Sequence, residues 1–130
     1  MRIIHPIARI LLGFIFGVLG LNGFLWFFKA PPFPGAAGEF QTAIVASHFI
    51  WFTSAVQVIA GFLLLFNRYV VFSIFVLAAV LSNILAYHIT MMPATIAPAV
   101  VTLALWFIVA WPLRAYFAPI FVEKVTLASR

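Results

Sequence analysis

Asn22, Gln57, Asn83 and His88 carry most of the chemical capacity of this sequence, because each interrupts a long apolar stretch. Hydrocarbon offers an amide or an imidazole no partner, so a polar group placed there needs a specific one. Both groups donate and accept hydrogen bonds, which suits them to orienting a ligand. His48 adds a second chemistry. Positions 48, 68 and 88 are evenly spaced about Arg68. In a helical hairpin that turns at Arg68, His48 and His88 fall at one depth, ~30 Å from the turn at ~1.5 Å per residue. Two imidazoles at one level could ligate a haem or a metal. Against that, both stand near where water begins, and His48 lies about 180° around its helix from Gln57. A histidine satisfied at the interface is the simpler account.

Other chemistries are excluded. The chain has no Cys, so it has no thiolate nucleophile, disulfide or sulfur-held metal. The two carboxylates, Glu39 and Glu123, fall outside the apolar runs and on opposite sides of them. They cannot act as an acid–base pair. Neither can serve as an intramembrane proton carrier, which weighs against a small proton-coupled exporter. There is no Gly-rich phosphate loop after a strand and no nucleophile elbow. Independent catalysis is not expected; at most the chain is a subunit of a redox complex.

The elements that hold these residues follow from composition. Of 130 residues, 67% are apolar and 7% charged, against roughly 45–50% and 25% in soluble domains. Nine charged side chains cannot cover such a chain in water, so lipid is the expected solvent. Four apolar runs, at about 8–28, 43–66, 70–91 and 97–117, each approach the ~20 residues that cross a membrane as a helix. A transmembrane barrel would need ~10-residue alternating segments, which are absent. The fold class expected is all-α: a single integral membrane four-helix bundle over residues 1–130. The first run exceeds the ~7–15 apolar residues of a cleaved leader and three more follow, so it is expected to be a retained anchor. Residues 29–41 contain PPFPGAAGE, a Pro/Gly loop that should not continue a helix. Asn67, Arg68 and Tyr69 form a tight turn, residues 92–95 another, and Pro112 should kink the fourth helix.

The net charge is +5, but its cations are scattered singly, which does not fit a nucleic-acid surface. They fit topology instead. Arg2, Arg9, Arg68, Arg114, Lys124 and Arg130 fall on one side and Lys29 on the other, so both termini are expected in the cytoplasm. Arg9 should snorkel to headgroups. Trp26, Trp51, Tyr69, Trp111 and Tyr116 fit interfacial belts. On helix one, Arg9, Gly13, Gly17 and Gly20 share an arc of about 80°, its glycines a small-residue stripe for close packing. On helix two, Ser47, Ser54, Gln57 and Gly61 share another. Gln57 should meet a neighbouring helix, either as packing glue or as part of a site. Polar groups in the outer halves of three helices point to an outward-facing pocket.

The run Arg9-Ile-Leu-Leu-Gly-Phe-Ile-Phe-Gly-Val-Leu-Gly-Leu-Asn-Gly-Phe24 resembles the opening helix of DoxX-like membrane proteins, which begin with Arg and close in Gly-x-Asn. Residues 56–68, VQVIAGFLLLFNR, resemble that family's second helix and tight basic turn. Asn83-Ile-Leu-Ala-Tyr-His88 resembles the polar end of its third helix. The residue corresponding to Gln57 is often Glu in the family, and an amide does not titrate. The resemblance implies a multi-pass protein of the bacterial inner membrane, some relatives being membrane subunits linked to quinone-dependent sulfur oxidation or to redox complexes. The function expected is a small membrane subunit binding a quinone or another lipophilic ligand through Asn22, Gln57, Asn83 and His88. A soluble or membrane redox partner or a second copy would join it. The alternatives are a structural anchor or assembly factor without a ligand, and a small transporter.

Overall fold

The computed structural model describes residues 2–128 and is all-helical, with no strand among the described residues. Arg130, counted among the cations above, lies outside them. Helix α1 spans Ile4–Leu25. Pro6 falls in its first turn, where the missing N–H has no helical partner to lose. Its geometry passes from α through a π turn at Phe14–Val18 and a 3₁₀ turn at Leu19–Leu21. The expected end at residue 28 is corrected by three residues. The Asn22 side chain accepts from the Phe28 amide at 2.7 Å and donates to the Phe28 carbonyl at 3.0 Å. This pair of hydrogen bonds folds the chain back, and Trp26 takes a left-handed conformation with φ 52°.

The expected loop over 29–41 is also corrected, because α2 covers Gly35–Ala46. Pro34, in extended backbone, occupies the cap position ahead of it. A side chain at Gly38 would run into the Phe33 carbonyl, so the residue that reads as a breaker is what lets this helix close against its own entry. The chain then bends by 85° before α3, Phe49–Leu65. His48 makes the corner with φ 60°. The single run expected over 43–66 is thus two helices.

Helix α3 ends in a paired turn. The Arg68 amide donates to the Leu63 carbonyl at 2.8 Å and the Asn67 amide to Leu64 at 3.1 Å, with Asn67 at φ 55°. This is a Schellman motif with Asn in the position usually given to Gly. Helix α4 spans Val70–Met91, the bounds expected from sequence. Pro93–Thr95 makes a 3₁₀ turn, and α5 spans Ala97–Phe121. Pro112 converts Trp111–Leu113 to 3₁₀ geometry without ending the helix, which runs four residues past the expected exit.

Leu12 and Phe16 of α1, Leu64 of α3, Ile74, Leu77 and Leu81 of α4 and Val109 of α5 make one core. The Trp106 indole N–H donates to the Ile74 carbonyl at 2.9 Å, tying α5 to α4. Inside the protein lies no more than 28% of the most apolar stretch of α1, α4 or α5. The outward faces carry Ile, Leu, Phe and Trp, so apolar surface faces both ways, as lipid as solvent requires. Three helices are long and apolar enough to cross a membrane, or four when the bent pair α2–α3 counts as one span.

Candidate ligand-binding site

Glycines set the distance between α1 and α3. A methyl built on Gly61 would meet the Gly17 amide nitrogen and lie 2.5 Å from its Cα; one on Gly13 would lie 2.9 Å from the Gly61 carbonyl oxygen. Gly20 faces Gln57 and Val58, and Gly23 faces Ser54. Rising numbers on α1 therefore meet falling numbers on α3, an antiparallel pairing with backbone against backbone. At its lower end Arg9 reaches across. Its guanidinium donates to the Leu64 carbonyl and, at 3.4 Å, to that of Leu65. Arg9 is half-buried and caps α3, where a cation favours the negative end of the helix dipole. The snorkelling expected for it is corrected accordingly.

Beside the π turn, whose extra residue widens α1, the helices leave a gap. The gap is a crevice of about 170 Å³. Ile15, Phe16, Leu19 and Gly20 line it from α1, Gln57 from α3, Leu81 and Ile84 from α4, and Thr102 from α5. Thr102 is buried, and its hydroxyl donates to the Pro98 carbonyl at 2.8 Å. Gln57 is half-buried. Among the described residues no hydrogen bond engages its amide, so both its donors and its carbonyl remain to serve the crevice. Gln57 is the midpoint of Phe49–Leu65, so the crevice lies midway along α3.

The crevice includes none of Asn22, Asn83 and His88. Asn22 is tied to the Phe28 backbone as described. Asn83 is exposed, and its amide donates to the Ala79 carbonyl one turn back at 3.1 Å. The Thr95 hydroxyl donates to the Met92 carbonyl at 3.1 Å, so its oxygen accepts from His88 Nδ1, also at 3.1 Å. His88 thus pins the turn between α4 and α5. The four proposed ligand contacts do not converge, because three of them already close turns or bond their own helix.

His48 is exposed at the α2–α3 corner, its ring edge-to-face with Trp51 at 4.5 Å. His48 and His88 share the far end of the hairpin, at the start of α3 and the last turn of α4. Among the described residues no three His, Cys, Asp or Glu side chains group as a metal set. Thr102 is the crevice residue that sequence analysis missed. It is the one Ser or Thr in the fourth apolar run, and that isolation was the available signal. No family model, curated protein or solved structure matches this chain.

Proposed function

We propose that the chain is a DoxX-like four-helix protein of the bacterial inner membrane, with both termini cytoplasmic. It serves as a small membrane subunit that holds the head of a lipophilic ligand between its helices. The bent pair α2–α3 counts as one of the four spans, with α3 making the crossing. The observation that carries the reading is Gln57, a polar group without a hydrogen-bond partner among the described residues, on a wall otherwise apolar except for Thr102. Ligand sites commonly occupy about 300–1,000 Å³, and this crevice measures about 170 Å³. It therefore suits a head or ring edge whose tail stays in lipid. A quinone carbonyl accepting from the Gln57 amide fits that chemistry.

The test is titration of purified protein with a short-chain quinone, read by quenching of tryptophan fluorescence. Gln57→Leu should weaken binding about tenfold, the worth of one hydrogen bond of ~1.5 kcal/mol. His88→Ala should leave it unchanged, because His88 serves the Thr95 turn. Wild-type protein that shows no saturable quenching sinks the proposal.

One observation favours a second reading, a structural anchor or assembly factor. Arg9, Asn22, Asn83 and His88 all satisfy partners within their own chain. Under that reading Gln57→Leu changes stability or partner recovery and leaves ligand binding alone. Transport has less support, since no titratable side chain lines the crevice.

A further inference from the structure

At the end of the molecule remote from His48 and His88, the first turns of α4 meet the last turns of α5. Between them lies an open apolar groove of about 430 Å³, within the range of ~300–1,000 Å³ for ligand sites. Phe72 and Phe75 of α4 and Phe117 and Ile120 of α5 line it, together with Tyr69 and Tyr116. Both tyrosines are largely exposed, 75% and 68%. An apolar trough with exposed tyrosines beside it matches the two halves of a lipid.

The charges select the headgroup. Arg68 immediately precedes Tyr69, Arg114 stands two residues before Tyr116, and Lys124 follows Ile120 by one turn's length of chain. The Arg114 guanidinium lies 5.1 Å above the Trp111 ring, and one N–H donates to the Trp111 carbonyl at 2.9 Å. A guanidinium has five N–H donors, so most of its set is left for phosphate oxygens. The single nearby carboxylate is Glu123.

We infer that this groove is a binding site for an anionic phospholipid, with one acyl chain between α4 and α5 and its phosphate between Arg68 and Arg114. A zwitterionic lipid would set its own ammonium against the same cations, so it binds less well. The inference is independent of the ligand proposed at Gln57, because none of the groove residues lines that crevice.

Native mass spectrometry of the detergent-purified protein, with phosphatidylglycerol or phosphatidylcholine added, tests it. Wild-type protein should retain phosphatidylglycerol preferentially. Arg68→Gln and Arg114→Gln should each cut its affinity about fivefold, the usual effect of one basic residue at a membrane surface, and leave phosphatidylcholine unchanged. Val71→Trp, which fills the groove, should weaken both lipids. Arg2→Gln, away from the groove, should change neither. Equal retention of the two lipids by wild-type protein overturns the inference, and needs no variant to fold. So does displacement by inorganic phosphate, which marks an anion site without a lipid, or a dimer that carries no lipid, which assigns the groove to a second copy. Gln57→Leu should keep the phospholipid preference, which separates failure here from failure of the crevice reading.

Discussion

Gly61 has no room for a side chain. Its hydrogen faces the Gly17 backbone, and backbone cannot rotate aside as a side chain can. Gly20 differs, since a methyl there meets the Val58 side chain at 3.3 Å and the Gln57 Cβ at 3.4 Å. Gly61→Ala should therefore destabilise by about 1–3 kcal/mol, the cost of overpacking, and Gly20→Ala by much less. Thermal unfolding midpoints in detergent compare the two; equal losses would show that the α1–α3 approach does not set stability. The stripe Gly13, Gly17 and Gly20 could be read from sequence, because small residues at helical spacing have one physical use in lipid. The polar residues could not be assigned the same way. Asn22 looks like a ligand contact until the chain returns and Phe28 occupies both ends of its amide. Sequence shows that a buried amide needs partners, not which backbone supplies them. Gln57 and Asn83 illustrate this, being the same chemistry in two apolar runs, one left without a partner and one satisfied a turn away.

The bend between α2 and α3 shows where hydropathy stops carrying information. Residues 43–66 form one apolar run, and an apolar run has no mark for a corner. The corner comes from His48 at φ 60°, a conformation that costs most residues more than it costs His, Asn or Asp. Tyr69 and Asn67 make the other reversal in the same way, but there the polar turn signalled itself in sequence. On the proposed topology, in which α3 makes the crossing, the 85° bend should lay α2 along the surface, with Glu39, Gln41 and Thr42 toward water. The chain contains no Cys, so single cysteines report depth without background. Ala43→Cys should react with a water-soluble maleimide and Phe52→Cys, one turn into α3, should not. Protection of both would restore the straight span that the hydropathy of residues 43–66 implies.

The sidedness of the whole molecule rests on its cations, and the structure reduces how many of them act freely. Arg9 is occupied in capping α3, whereas Arg114, stacked on Trp111, stays exposed. Arg2, Arg68 and Lys124 remain exposed, and the turn at Arg68 stands at the same end as the Arg9 cap on Leu64 and the groove at Tyr116. The opposite end holds Lys29, which shares it with Glu39. Cytoplasmic retention depends on Lys and Arg close to the ends of spans and little on acids, so this imbalance should hold both termini inside. In intact cells, Ala30→Cys should then react with an impermeant maleimide, and Leu127→Cys should react only after lysis. The reverse pattern would overturn the topology. It would also move the α4–α5 groove to the outer leaflet, away from the anionic lipids that concentrate on the cytoplasmic face, so the labelling decides which leaflet the groove samples.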